Sequence, residues 1–231
     1  MTPEALNGAR IAFDLDGTLV DTAPDLLRAL NETTALDGLE PTPLAAVRAM
    51  VGRGAKALIQ RAFDRAGRAE LMPDALEARL EHFLNTYRAG IAVHSAPFQG
   101  VEDALDALAA AGAELSVCTN KPGWLAAPLL AAVGLKQRFV RIIGPEDAPA
   151  KKPDPRHLET ALGGPADRRC ILVGDSEPDV QAAKAAGAWS VIFEDGYSEK
   201  PVGALGADRL FRSYDALPGA LAELITSDPP G

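Results

Sequence analysis

The sequence predicts an α/β fold: a parallel sheet with helices on both faces, and a helical-bundle segment inserted after the first strand. Three observations carry this expectation. Five short apolar runs break off into polar or acidic residues: RIAF (10–13), AELSVCTN (113–120), VRIIG (140–144), RCILVGD (169–175) and WSVIFED (189–195). Each has the length and composition of a buried strand. Alanine- and leucine-rich segments of helical period lie between the later runs, at 101–111, 123–133, 155–162 and 178–186. Strand alternating with helix places parallel strands in one sheet and covers both faces. The stretch from about Thr22 to Val93, in contrast, holds no convincing strand.

Taken in order, RIAF is the first strand. TAPDLLRALNETTAL then opens the inserted segment, with Thr22, Pro24 and Asp25 forming a capping-box-like start and proline in the first turn. PLAAVRAM, GAKALIQRAF and PDALEARLEHFLNTYRA follow with helical spacing, and HSAPFQG is the return linker. Four helices inserted after a first strand suggest a cap domain over residues 22–93, with residues 1–21 and 94–231 as the core. The C-terminal TSDPPG reads as a frayed tail. No internal repeat is visible, and the spacing is too irregular for a solenoid.

Composition narrows the function. The chain has 231 residues, 47% apolar and 24% charged, which is ordinary globular usage with ample length for a core. A net charge of −9 with no block of like charge argues against nucleic acid or an anionic membrane as partner. Such a chain still binds an anion if a metal and one or two cations reverse the local field. Cys118 and Cys170 sit in apolar runs and read as buried, reduced thiols without metal-ligand spacing. MTPEALNGAR has neither a basic nor an apolar region of a signal peptide, and LAAPLLAAVGL is too short to span a bilayer. The expected location is the cytoplasm.

The chemistry concentrates in IAFDLDGTLVDT (11–22), where a strand ends on Asp14 and Asp16 follows two positions later. In open α/β sheets, ligands bind beyond the carboxyl ends of the strands. Other strands end in Thr119 and Asn120 and in Gly174 and Asp175, while Lys151 and Lys152 precede Pro153 and a helix. Helix caps and turns would explain any one of these residues alone. They explain Asp14 with Asp16 poorly, because two like charges at a strand end repel. A calcium loop fails on spacing: its sixth position needs glycine and its twelfth glutamate, whereas here glycine is fourth and the twelfth is Asp25. Magnesium, which takes one or two carboxylates together with substrate phosphate, resolves the repulsion. Asp14 and Asp175 can supply carboxylates to it, and Thr119 with Lys152 suits phosphate oxygens.

These residues resemble the haloacid dehalogenase-like superfamily of phosphohydrolases, with a Rossmann-like core. The matches are Asp14-Leu-Asp16-Gly-Thr-Leu-Val-Asp21-Thr, Thr119-Asn-Lys, Lys152-Pro and Gly174-Asp175-Ser-Glu-Pro-Asp179, all in order. The resemblance implies Asp14 as nucleophile forming an aspartyl-phosphate, and Asp16 as the acid that protonates the leaving oxygen and then activates water. It implies Thr119, Asn120 and Lys152 as phosphate-binding. It also implies Mg2+ held by Asp14, the main-chain carbonyl of Asp16 and Asp175, with Asp179 acting through a water. Pro178 departs from the family, where asparagine is common.

Asp16 distinguishes the chemistries: a leaving alcohol needs a proton and a halide does not. A phosphatase acting on a small phosphorylated metabolite is therefore the leading expectation. A phosphosugar mutase is the runner-up, although relatives resembling β-phosphoglucomutase often carry valine where this chain has Thr18. A non-enzymatic binding module is hard to reconcile with an intact nucleophile and acid. Within the superfamily, AFDLDGTLVDTAPDL, VGRGAKALIQRAF, CTNKP, KKPDP and VGDSEPDVQAAKAAG look like the bacterial phosphoglycolate phosphatase subfamily. N-acetylmuramic acid 6-phosphate phosphatases and pyrophosphatases look similar enough to stay open. Arg53 and Gly54, in a glycine-flanked loop ahead of a helix, are specificity candidates. Lys121 either adds positive field near phosphate or is a solvated loop lysine. His82, His94 and His157 suit surface or linker roles, and Trp124 either shades the cleft or, the favoured reading, packs between helices.

Overall fold

A computed structural model describes residues 3–48, 50–51 and 54–227. The first strand, β1 (Arg10–Phe13), leads through a tight turn to β2 (Val20–Asp21). Four helices follow: α1 (Ala23–Ala35), α2 (Leu44–Arg48), α3 (Ala55–Arg65) and α4 (Pro73–Ala89). The chain returns through β3 (Ala96–Pro97) and alternates helix with strand: α5 (Val101–Ala110), β4 (Glu114–Cys118), α6 (Gly123–Ala132), β5 (Arg141–Ile143), α7 (Pro155–Leu162), β6 (Cys170–Gly174), α8 (Glu177–Ala186) and β7 (Trp189–Phe193). It ends with β8 (Arg209–Phe211) and α9 (Leu217–Thr226).

The expected parallel sheet with helices on both faces is present. Six strands lie in the order β5-β4-β1-β6-β7-β8, every neighbouring pair parallel. The strand β8 and the helix α9 were not anticipated. Three edge residues are too few to display a period, and α9 lies beyond the last strand that the sequence reveals.

Alternation along β1 sorts the core. Ile11 and Phe13 face one side, in a cluster with Leu105 and Leu108 of α5, Leu129 and Leu130 of α6 and Leu221 of α9. Ala12 faces the other, with Leu158 and Leu162 of α7 and Ala182 and Ala183 of α8. Cys118 and Cys170 are free and buried in that second layer. Burial pushes the Cys118 thiol up to about 12, so it is an inert thiol there.

Helices α1–α4 share an apolar cluster of their own, built from Leu26, Leu30, Ile59, Phe63 and Phe83 among others, and completed by Leu125 and Tyr197 from outside those helices. The two chain crossings into and out of this segment pair with each other: Val20 with Pro97 and Asp21 with Ala96, antiparallel. The expected cap at the start of α1 is different in kind. Thr22 makes no side-chain capping bond, because its hydroxyl donates to Asp16 Oδ1 at 2.6 Å. Asp25, fully buried, reaches outward to the return linker instead. Its Oδ2 accepts from the main chain of His94 at 2.9 Å and of Ser95 at 2.8 Å, and from the Ser95 hydroxyl at 2.7 Å. Among the described residues no helix is long and apolar enough to cross a membrane.

This carboxylate generates a stability prediction. Burial raises the Asp25 pKa, but the bonds from His94 and Ser95 outweigh it, and the net value lies below the usual range. The stabilisation is therefore complete above the unfolded value of about 4 and is lost as pH falls through the lowered folded value. Asp25→Ala strands buried donors and should cost about 2–4 kcal/mol in urea unfolding at pH 7, from about 1–3 kcal/mol per orphaned group. The difference between variant and wild type should shrink below pH 3. A loss under 0.5 kcal/mol, roughly the scatter of surface substitutions, would show that the linker is held by other contacts.

Candidate active site

The order of strands reverses at β1, with β4 on one side and β6 on the other. Asp14 follows β1, Thr119 follows β4 and Asp175 follows β6, so the sheet delivers all three to one crevice. All three line a single cavity of about 320 Å3, together with Asp16, Asn120, Lys121, Lys152 and Asp179. Its roof comes from Leu80, Phe83, Leu84 and Tyr87 of α4 and from Gly54 at the start of α3.

The turn after β1 brings Asp14 and Asp16 to the same side. Leu15 O accepts from Leu19 N at 3.0 Å and from Val20 N at 3.1 Å, while Gly17 N donates to Val20 O at 3.0 Å. Gly17 has φ +81°, and a Cβ there would lie 2.5 Å from Asp175 Oδ2 and 2.7 Å from the Tyr197 ring. Only glycine permits both the turn and this approach. A similar constraint acts at the end of β6, where a Cβ on Gly174 would lie 2.3 Å from Asp179 Cγ.

Lys152 is the electrostatic centre. Its side chain is 1% exposed, and its ammonium lies 2.6 Å from Asp179 Oδ1 and 3.0 Å from Asp14 Oδ1. The contact to Asp14 is an ion pair whose angle is unsuited to a hydrogen bond, so Asp14 Oδ1 accepts none. Burial lowers the Lys152 pKa, but Asp14 and Asp179 more than offset this, and the net shift is upward. The main chain of Lys152 is gripped on both sides: its N–H donates to His157 Nδ1 at 3.0 Å, and its carbonyl accepts from Asn120 Nδ2 at 3.1 Å. His157, expected at a surface or in a linker, is fully buried. Burial and the Lys152 charge push its pKa down to about 4, which keeps the ring neutral and Nδ1 free to accept.

The acids are held apart from their usual behaviour. Asp14 rises to about 6, mainly through burial, with Lys152 opposing and Asp179 and Asp16 adding to the rise. Asp175 is raised well above the ordinary range by burial and then by Asp179 and Asp14. Asp175 accepts from Tyr197 N at 2.6 Å and from the Thr18 hydroxyl at 3.3 Å. Asp179 Oδ2 caps the start of α8, accepting from Ser176 N at 3.1 Å and Ser176 Oγ at 2.8 Å. The donor set fits a hard divalent cation. Carboxylate oxygens of Asp14, Asp175 and Asp179 lie within 4.8 Å of one another, and Asp14 Oδ1 is buried without a hydrogen bond. Four carboxylates face two buried ammoniums, Lys152 and Lys121, which leaves negative charge that a cation with oxygen preference would neutralise.

Lys121 is no solvated loop lysine. Its side chain is 5% exposed, with the ammonium 2.9 Å from Asp16 Oδ1 and 4.4 Å from the centroid of the Tyr87 ring. Asp16 is thus held by Lys121 and Thr22 together. Trp124, expected to pack between helices, is 47% exposed instead, because it lies on the outer side of the first turn of α6. Arg53 lies outside the described residues, whereas Gly54 borders the cavity.

The roles of Tyr87, Tyr197 and His157, and the bond from Thr22 to Asp16, carry no signal in the sequence. Tyr87 and Tyr197 arrive from elements distant along the chain, whereas Thr22 and His157 lie six and five residues from the groups they bind. Tyr197 joins two regions: its N–H holds Asp175, its hydroxyl bonds Asp21 and accepts from Ala23 N at 2.9 Å.

Comparison with known proteins agrees with this geometry. A model of the haloacid dehalogenase-like hydrolase family matches residues 11–193. A curated phosphoglycolate phosphatase of Caulobacter vibrioides is 49% identical over 227 residues, covering 97% of this chain and 95% of its own. One from Agrobacterium fabrum is 40% identical, covering 98% and 97%. The crystal structure of a predicted phosphoglycolate phosphatase from Haemophilus somnus superposes with a TM-score of 0.84 at 31% identity, covering 95% of this chain and 99% of that one. With its sheet, its strand-end acids and this likeness along nearly its whole length, the chain belongs to the haloacid dehalogenase-like hydrolase family.

Proposed function

We propose that this phosphatase is a magnesium-dependent phosphomonoester hydrolase that works through an aspartyl-phosphate on Asp14 and takes phosphoglycolate as its substrate. The observation that supports this best is the grouping at the end of β1. Asp14 and Asp16 line one cavity, with the Lys152 ammonium 3.0 Å from Asp14 and the Asp175 and Asp179 carboxylates beside it. The curated relatives at 49% and 40% identity, both named phosphoglycolate phosphatase, support the choice of substrate. A cavity of about 320 Å3 suits a small phosphorylated metabolite.

An oxygen of Asp14 attacks phosphorus, and the bond from phosphorus to the ester oxygen breaks. Asp16 gives its proton to that departing oxygen. As a carboxylate it then takes a proton from the water whose oxygen attacks the phosphorus of the aspartyl-phosphate. Asp14 is regenerated and inorganic phosphate leaves. Splitting the hydrolysis in two lowers each barrier. Thr119 and Lys152 hold the non-bridging oxygens throughout, and Asn120 steadies the Lys152 main chain. Asp14, Asp175 and the Asp16 carbonyl would hold magnesium, with Asp179 in support, and the ion would supply charge neutralisation for the phosphoryl group.

In this reading residues 1–21 and 94–231 are the catalytic core and residues 22–93 a cap. The separate apolar cluster of α1–α4 and the paired crossings β2 and β3 support that division. Gly54, and Arg53 beside it, would contribute to specificity from the cap. The setting in this reading is the cytoplasm.

Asp14→Asn should abolish turnover and leave no acid-stable phosphate on the protein after quenching with labelled substrate, whereas wild type traps some. Turnover retained by a clean Asp14→Asn preparation would sink the covalent route. Chelation should stop the reaction and magnesium restore it. Calcium should restore little, since its longer bonds of about 2.3–2.6 Å favour bidentate capture of Asp14. Comparable rates with calcium would refute this assignment of the metal site. In a panel of phosphate esters, phosphoglycolate should give the highest kcat/KM. A preference for N-acetylmuramic acid 6-phosphate or pyrophosphate, or conversion of glucose 1-phosphate to glucose 6-phosphate, would replace the substrate reading and leave the family intact.

A further inference from the structure

Two buried polar groups of the same cavity, on Tyr87 and Lys121, retain hydrogen-bonding capacity beyond the chemistry at Asp14. The Tyr87 hydroxyl is buried without a hydrogen-bond partner, on a residue only 1% exposed. A polar atom left unpaired in a dry place costs stability unless something else fills it. The Lys121 ammonium lies beside it. It contacts one Asp16 oxygen at 2.9 Å and lies 4.4 Å from the centroid of the Tyr87 ring. An ammonium has three donors, so the contact to Asp16 leaves further capacity.

Both groups are fixed in place. Phe83, one turn earlier on α4, stacks on Tyr87 with ring centroids 6.2 Å apart and planes 4° apart. Thr119 Oγ1 accepts from Lys121 N at 3.1 Å, which anchors the lysine to the end of β4. Leu80, Leu84 and Leu125 make the surrounding wall apolar. Water competes weakly in such a place, and a charge-assisted hydrogen bond gains strength. The other buried lysine, Lys152, is already committed to Asp14 and Asp179.

We infer that Tyr87 and Lys121 form the subsite that reads the substrate's carboxylate, at the end remote from the phosphate; this rests on the phosphoglycolate reading above. The hydroxyl and the ammonium supply one donor to each carboxylate oxygen. The flanking apolar wall leaves no partner for a neutral alcohol of the same length that would gain equally from the ammonium. Tyr87 comes from α4 and Lys121 from the loop after β4, so the subsite exists only where the helical segment meets the sheet.

The test compares 2-phosphoglycolate with 2-hydroxyethyl phosphate, which keeps the chain length but lacks the carboxylate. The measured quantity is the ratio of their kcat/KM values, so that a loss common to both cancels. Wild type should favour phosphoglycolate, and Tyr87→Phe, which keeps the stacked ring, should lower the ratio about 10-fold or more, as for loss of a hydrogen bond to a charged group. Thermal unfolding of the variant checks its fold. If it does not fold, Lys121→Gln gives the same readout and should also lower the ratio. A wild-type preference that survives in the folded variant overturns the subsite and leaves the phosphoglycolate reading standing. No wild-type preference overturns both.

Discussion

The buried ammonium of Lys152, between Asp14 and Asp179, is the interaction around which the site is arranged. Burying a lone ammonium or a cluster of carboxylates is costly, and each is tolerable only because the other is there. The rest of the local structure serves that arrangement. Gly174 admits Asp179 against the end of β6. Ser176 binds one Asp179 oxygen, leaving the other for Lys152. His157 and Asn120 hold the lysine main chain from opposite sides. The balance is nevertheless incomplete: Asp14 and Asp175 are shifted upward, first by burial and then by the neighbouring carboxylates. The carboxylates of Asp14, Asp175 and Asp179 are grouped closely enough that one cation could bind all three.

Lys121 is a second buried lysine with a different setting. Its contacts are Asp16 and an aromatic ring from α4 rather than the acids around Asp14. Lys152 therefore faces the acids around Asp14, whereas Lys121 faces Asp16 and the side of the cavity that α4 forms. Tyr197 adds a mechanical link. One residue holds Asp175 through its main chain, packs its ring on Gly17 and bonds Asp21 and Ala23 through its hydroxyl. The acidic centre and the point where the helical segment leaves the sheet are consequently one connected unit.

Much of the fold and of the candidate site is legible in the amino-acid order because the governing rules are local. RIAF, ELSVC and CILVG are strands, since a short apolar run bounded by polar residues has few alternatives. Alternating helices force those strands to be parallel, and a parallel sheet collects its strand ends on one side. Asp14, Thr119 and Asp175 could be grouped from that rule alone, before any distance was known.

What only the tertiary structure decided is which polar groups meet, whether they lie a few residues apart or far away in the chain. The hydroxyl of Thr22 looks like a helix cap in sequence, but Asp16 competes for it and wins. His157 reads as a surface residue because no local pattern announces its bond to Lys152 N. Lys121 could be solvated or buried with equal right until α4 lays Tyr87 over it. Asp25 appears to belong to the start of α1, yet it binds the linker some seventy residues later. Periodicity encodes which side of an element is apolar, and it therefore determines the layers. It carries no information on which polar groups meet across those layers, because that depends on how α1–α4 are seated against the sheet.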